Sequence, residues 1–384
     1  MLIQTQSDLD KFVKNIPDCD FITVDTEFLR DKTYYPKLCL VQIGIPDGDD
    51  VAIDPLAQDM DLSGVFELFT NQNIVKVFHA PRQDLEIFYM MMGTHLPTPI
   101  FDTQIAASFL GYGAQVGYNN LVQKICQTSL DKSRQFMDWS QRPLTKAQLK
   151  YALADVSYLK KIYVSLCEDL REKGRMEWVE EETKYLSDPS LYASAPEDAW
   201  ERIKIRTQKS EDLIALKELA AWREALAQKR NIPKQHILKD EVLAQLAMIK
   251  PQQEKQLKRI RNLPSGYQKG PQAENLMNLI FKALETPKDT WPSRKPFIAR
   301  EQNITGICDM LKLLLKLQSL EHDIASNLIA SSGDIEKLAE SNDANIPALS
   351  GWRYEVFGKE AIELKEGRLS LGLKGGNIQK YYAT

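Results

Sequence analysis

The stretch Phe21-Ile-Thr-Val-Asp-Thr-Glu27 decides the reading of the first half of this 384-residue chain. It is a short β-rich run that ends in two acids spaced D-x-E. Strand residues i and i+2 point to one face, so Asp25 and Glu27 stand side by side at the strand end. Two such carboxylates repel, and leaving them unpaired is costly unless a cation sits there. Working outward, Leu38–Ile45 and Val51–Asp54 are further apolar runs. The turn-rich Pro46-Asp-Gly-Asp-Asp50 between them predicts a hairpin and antiparallel pairing. Leu62–Phe69 reads as a helix and Ile74–Phe78 as a strand. Pro81 then opens a helix to about Met91. A strand near Ile100 precedes Asp102, an N-cap for Thr103–Leu110. Thr145 precedes a long helix from Lys146 to about Lys173, stopped by Gly174. Strands alternating with helices, plus one hairpin, predict an α/β domain with a mixed sheet.

The second half differs. After the linker-like stretch from Leu186 to Pro196, β signals nearly vanish. Ser210–Arg230, Lys239–Ala247, Gln252–Asn262 and Gln272–Leu284 read as helices. Thr286–Pro296, with three prolines, reads as a second linker. Ile304–Leu320, His322–Ala330, Ser332–Ser341 and a segment around Trp352 form a further helical set. The expected domains are therefore 1–190 (α/β), 205–288 (helical) and 295–378 (helical).

Composition excludes several classes. Apolar residues are 43% and charged residues 27%, ordinary for a globular protein. The longest charge-free stretch, Thr103–Gln123, is too polar to span a bilayer. The opening MLIQTQSDLDKF lacks a basic leader and apolar run, so no signal peptide and no membrane partner are expected. Five scattered cysteines without a CxxC pair fit free thiols in a cytoplasmic protein and argue against a cysteine-based zinc site. The net charge of −4 conceals an asymmetry: −11 over residues 1–200, +10 over 201–300 and −3 over 301–384. The basic block reads either as the footprint of a polyanion or as a solvated, charge-laced helical surface.

Two further acidic patterns join Asp25 and Glu27. His79-Ala-Pro-Arg-Gln-Asp84 is a strand-to-helix junction that puts Asp84 in the first turns of a helix. Tyr151-Ala-Leu-Ala-Asp155 places a phenol and a carboxylate on one helix face. Each pattern alone has a plain structural reading: an exposed strand end, an acid favoured by the helix dipole, ordinary helix packing. Their order is more telling. Asp25, Glu27, Asp84 and Asp155 supply the hard oxygens that Mg²⁺ or Mn²⁺ prefer. Paired ions of that kind are the usual machinery for water attack on a phosphodiester.

Taken in order, these strings resemble the ribonuclease D family of DEDD 3′–5′ exonucleases, in the subgroup with tyrosine in its third motif. The resemblance is carried by Val24–Phe28, Thr33–Pro36, Phe78-His-Ala80 with Gln83–Glu86, Asp102-Thr-Gln104, Arg142–Thr145 and Tyr151-xxx-Asp155. Trp222-Arg223, Asn231-Ile-Pro233, Ile237, Asp240-Glu241 and Leu243 resemble an HRDC domain. Residues 297–375, with Ile329-Ala-Ser331 and Leu349–Arg353, resemble the family's divergent second HRDC domain. The resemblance implies an RNase H-like exonuclease domain followed by two all-α HRDC-type domains. It implies a metal-dependent 3′–5′ exoribonuclease that trims structured RNAs, tRNA precursors above all, as a monomer, releasing nucleoside 5′-monophosphates. Asp25, Glu27, Asp84 and Asp155 would hold two divalent ions, Mg or Mn, and Tyr151 would position the attacking water. Phe28 and His79 would line the pocket for the terminal nucleotide, although a core Phe and a hydrogen-bonded structural His read as well. Asp102 reads as an N-cap or as a partner behind the metal ligands. Arg142 could hold a phosphate and Trp139 could stack on a base; a Trp anchoring a loop is the plainer reading. Lys255, Lys258, Arg259 and Arg261 are the candidate nucleic-acid surface. A 3′–5′ DNA exonuclease and a non-catalytic binder with a relict exonuclease domain remain as rivals.

Overall fold

The computed structural model describes residues 1–130, 137–193, 195–293 and 302–383. The α/β part runs β1 (Leu2–Ile3), α1 (Gln6–Lys14), β2 (Phe21–Leu29), β3 (Lys37–Gly44), β4 (Val51–Ile53), α2 (Ser63–Thr70), β5 (Val75–Phe78), α3 (Arg82–Met91), β6 (Ile100–Asp102), α4 (Thr103–Ser108), α5 (Tyr118–Cys126), α6 (Lys146–Glu172) and α7 (Met176–Thr183). The six strands form one mixed sheet in the order β1-β4-β3-β2-β5-β6. The β3–β4 pair is antiparallel, with Val41 opposite Ile53. Parallel partners are β1 with β4, β2 with β5 and β5 with β6. Every expected strand and helix of this half is present, with ends within a few residues of the reading.

The central strands are buried, as near-continuous apolar runs require. Ile22, Val24, Leu40, Val41, Val77 and Phe78 are buried. Lys76, in the middle of β5, is buried as well. Its ammonium donates to the carbonyls of Asn71 (2.7 Å), Ile74 (2.6 Å) and Thr98 (2.6 Å), so no donor is stranded in the core.

The helices that follow are α8 (Ser210–Arg230), α9 (Lys234–Ile237), α10 (Asp240–Ile249), α11 (Glu254–Leu257) and α12 (Pro271–Glu285), then α13 (Gln302–His322), α14 (Ser326–Ile329), α15 (Ser332–Glu340), α16 (Gly351–Arg353) and α17 (Lys359–Lys365). In the linker-like stretch after Leu186 the described residues include a short 3₁₀ turn at Pro189–Leu191, and a second such turn starts at Pro196. The second linker and the expected start of the last segment at 295 run into residues outside those described. The all-helical reading fails at the end of the chain, where β7 (Leu369–Lys374) and β8 (Asn377–Tyr382) pair antiparallel. Gly375 and Gly376 between them both have positive φ, +59° and +81°. A two-residue hairpin turn of type I′ needs positive φ at both positions.

The chain divides into two compact units: Met1–Glu27, Leu40–Asp188 and Ala299–Thr384 in one, Phe28–Cys39 and Pro189–Ile298 in the other. In the first unit one core runs from Phe101, Leu121 and Ile162 to Leu311, Trp352 and Phe357. Trp352 stacks on Trp178 with centroids 5.3 Å apart, and its indole N–H donates to Glu182 (3.0 Å). Arg353 clasps Glu182 with both arms of its guanidinium. In the second unit, Leu213, Leu216, Leu243, Leu257 and Leu276 make a separate helical core. There the backbone N–H groups of Tyr34 and Tyr35 both donate to Asn231 Oδ1 (3.1 Å each), and the Tyr34 hydroxyl donates to Glu224 (2.6 Å).

Candidate active site

Strand alternation sets the first wall of the site. The Thr23 hydroxyl donates to the carbonyl of Val156 in α6 (2.9 Å). Gly44 allows this close approach: a Cβ there would lie 2.4 Å from Thr23 Oγ1 and 3.2 Å from the Val156 carbonyl. Asp25 and Glu27 follow Thr23 on the same face of β2. The start of α6 is fixed by a capping box, with Gln148 N–H donating to Thr145 Oγ1 (3.2 Å) and Thr145 N–H to Gln148 Oε1 (2.9 Å). Tyr151 and Asp155 then share one face of that helix.

Asp84 arrives from the other direction. Between β5 and α3 the chain turns through Ala80, which has φ +54°. That left-handed conformation is costly for a residue with a Cβ. The Ala80 N–H donates to Asp102 Oδ1 (2.9 Å), which also accepts from Gln104 N–H (2.8 Å) as the N-cap of α4. Asp102 is thus spent on the backbone. The turn delivers Asp84 into the first turn of α3, where its carboxylate accepts a hydrogen bond from Thr26. Thr26 is the middle residue of the D-x-E motif, so the first two acidic motifs are linked directly.

Burial raises all four carboxyls, and at Asp25 and Glu27 the neighbouring acids add to it. Burial, with the charges of Asp155 and Asp84, pushes Glu27 up to about 9. Burial pushes Asp155 to about 7, and Asp84 to about 6 despite the opposing Thr26 bond. Asp25 is held well above the usual range by burial and by Asp155, Asp84 and Glu27. Among the described residues no three His, Cys, Asp or Glu side chains stand gathered as a closed metal set. The donors nevertheless fit a hard divalent cation: four oxygen ligands, withdrawn from water, with no counter-charge among the causes of their shifts.

A cavity of about 330 Å³ opens here, lined by Asp25, Tyr151 and Asp155 on one side and His79 and Gly117–Asn120 on the other, with Leu159. His79 Nε2 lies 3.1 Å from the Val116 carbonyl, which can only accept, so Nε2 carries the proton. Nδ1 lies 3.0 Å from Thr103 Oγ1. Burial drives this imidazole down to about 4, against the Val116 bond, and keeps it neutral. Both ring nitrogens are therefore engaged by the protein, while the ring lines the cavity. The Tyr118 hydroxyl donates to the backbone carbonyl of Asp155, and burial raises its pKa. The wall at 117–120 escaped sequence reading because it lies in the charge-free stretch 103–123, without clear periodicity.

Other expectations are placed as follows. Phe28 is half-buried and is not among the cavity's lining residues. Arg142 does not present a phosphate clamp. Its Nε and Nη2 each lie 2.6 Å from Asp54, and Nη1 donates to the carbonyls of Trp139 and Gln141 (2.8 Å each). A buried carboxylate demands such a partner. Trp139 is buried, its ring 6.1 Å from that of Tyr151, so it anchors its loop. Trp222 packs on the second unit's core, edge-on to Tyr267. Lys255, Lys258, Arg259 and Arg261 are exposed in the second unit.

A mixed sheet carrying D-x-E on its central strand, with a third acid from a helix start and a Tyr-xxx-Asp helix facing it, defines a 3′–5′ exonuclease of the DEDD, RNase H-like class. The 3′–5′ exonuclease family model matches residues 1–171, and the HRDC domain model matches residues 212–280. Ribonuclease D of Bartonella henselae is 42% identical over 378 residues, 98% of this chain and 93% of that one. Ribonuclease D of Zymomonas mobilis is 43% identical over 381 residues, 98% and 97% of the two chains. The crystal structure of Escherichia coli RNase D, an exoribonuclease involved in structured RNA processing, superposes with a TM-score of 0.81 at 30% identity, covering 95% of this chain and 98% of that one. The chain belongs to the ribonuclease D family, the divalent-metal-dependent 3′–5′ exoribonucleases. No helix among the described residues is long and apolar enough to cross a membrane.

Proposed function

We propose that this protein trims the 3′ ends of structured RNAs, tRNA precursors above all, releasing nucleoside 5′-monophosphates, as a cytoplasmic monomer. The observation that carries the reading is the convergence of Asp25, Tyr151 and Asp155 on one nucleotide-sized cavity, with Glu27 and Asp84 beside them in charge. Asp25, Glu27, Asp84 and Asp155 are the residues that would hold two divalent ions, Mg or Mn. When bound, such ions lower the pKa of a coordinated water and stabilise charge on the leaving oxygen. The chain's own groups do the positioning. Tyr151 orients the attacking water with its phenol, from a ring packed against Trp139. Thr26 orients Asp84, and Tyr118 ties the helix at Asp155 to the opposite wall. Domain limits of 1–190, 205–288 and 295–378, the last a second HRDC-type segment, and RNA binding through Lys255, Lys258, Arg259 and Arg261 belong to the same proposal.

The test is a 5′-labelled RNA with an unpaired 3′ tail, incubated with Mg²⁺, Mn²⁺ or EDTA, beside Asp155→Ala. The expected result is a metal-dependent ladder shortening from the 3′ end, absent in Asp155→Ala although that variant still binds the RNA. Intact RNA under every condition, with folded protein still binding it, would overturn the reading in favour of a relict domain.

A further inference from the structure

We propose that the side-chain amides of Asn119 and Asn120 bind the 2′-hydroxyl side of the 3′-terminal ribose, and so select RNA ends over DNA ends. The inference rests on the exonuclease reading of the same cavity. Its first support is that this wall is preformed. The Val116 carbonyl just before it is held by two donors, His79 Nε2 and Gln104 Nε2, at 3.1 Å each. The Tyr118 hydroxyl is fastened to the backbone of Asp155, and the Tyr118 ring lies 5.5 Å from that of His79. The wall is thus tied to the acidic side at one end and to β5 and α4 at the other. A group held this way needs little ordering when substrate arrives.

The second support is unspent hydrogen-bonding capacity. Among the described residues neither amide has a side-chain partner, while both line the cavity. Asn119 is half-buried there and Asn120 is exposed at the mouth. The third support is what such groups can usefully read. An enzyme that removes nucleotides in succession must accept every base in its terminal pocket. Fixed polar groups there serve only the parts common to all nucleotides, the sugar and the phosphate. Neutral amides facing an acidic wall suit the sugar. Each offers a donor and an acceptor, matching a 2′-hydroxyl that is both.

The experiment uses two 5′-labelled RNAs identical except for the last sugar, ribose or 2′-deoxyribose. First-nucleotide removal is measured as kcat/KM with the full-length protein in Mg²⁺. The wild type should favour the ribose end by about tenfold, as two neutral hydrogen bonds allow. Asn119→Ala/Asn120→Ala should bring the ribose end down to the level of the deoxyribose end and leave the latter within about twofold. Asn119→Ser/Asn120→Ser, which keeps a donor and an acceptor at each place, should retain part of the preference. Equal losses on both ends would overturn the proposal, because the wall would then only hold shape. A wild type that removes both ends at the same rate would overturn it while leaving the exonuclease reading intact. A wild type that shortens neither end would overturn both.

Discussion

Replacing Glu27 by Gln should stabilise the metal-free protein while abolishing turnover. The carboxyl of Glu27 is held near 9, against an ordinary 4.5, by burial and by the charges of Asp155 and Asp84. The sign follows from proton binding. Between 4.5 and 9 the folded state keeps a proton that the unfolded chain releases, so stability falls as pH rises through that window. At pH 7 the cost is about 3 kcal/mol at ~1.4 kcal/mol per pH unit. Glu27 is half-buried, and water screening brings this to about 1–2 kcal/mol. Glutamine keeps the shape and removes the titration. Urea unfolding in EDTA, followed at the transition of the exonuclease-bearing unit, should show Glu27→Gln level with wild type near pH 4. The variant should lead by about 1–2 kcal/mol at pH 7 and by roughly twice that at pH 9. Mg²⁺ should then stabilise the wild type more than the variant, increasingly at high pH, because ligands must lose their protons to bind. A variant less stable than wild type in EDTA at pH 9 would refute the picture of mutually opposed carboxyls.

Two other perturbations probe the rest of the molecule. Converting Lys255, Lys258, Arg259 and Arg261 to Gln should weaken RNA binding and flatten the slope of log affinity against log salt by about 3, at roughly 0.7 per contact on a single strand; an unchanged slope would make the basic block a solvated surface. Trp352→Ala should cost about 3–5 kcal/mol in the first unit, because the ring packs on Trp178 and Phe109 and caps Glu182; thermal unfolding that leaves this unit's transition in place would show that the C-terminal helices are not part of its core.

Much of the α/β half was legible because its signals are local. A strand ending in D-x-E, an Asp before a short helix, a Thr three residues before Gln and a Gly after a long helix each carry their own backbone logic. Asp102 and Thr145 cap the helices expected of them. What escaped was either too short or set by distant partners. The two residues of β1 are in the sheet because they pair with Ala52 and Ile53, not because of any pattern of their own. The C-terminal hairpin did carry a readable signal, two glycines flanked by alternating residues, but helical expectation outweighed it. The local string around Arg142 reads as a phosphate ligand, but its partner is Asp54, 88 residues earlier. Burial of Asp54 depends on the whole sheet and leaves no trace in either local string. The cavity wall at 117–120 has neither charge nor period, and only its position opposite Asp25 and Asp155 gives it meaning.

The charge distribution then acquires a physical sense. A cavity walled by Asp25 and Asp155, in a segment of net charge −11, repels a phosphate backbone. Raising the carboxyl pKa values reduces that repulsion without removing it, since Asp84 near 6 and Asp155 near 7 are still largely or partly ionised at neutral pH. Divalent cations at the four acids would reverse the local sign, which ties catalysis and substrate admission to one ligand set. Attraction at longer range has to come from elsewhere in the chain, and residues 201–300, at +10, are where the sequence concentrates it. On this reasoning Asp155→Ala and the four-residue Gln variant separate two functions. The first removes chemistry at a point whose own charge opposes RNA when no metal is bound, so binding measured in EDTA should hold or tighten. The second removes attraction while the cavity is untouched, so KM should rise with salt sensitivity reduced and kcat nearly kept.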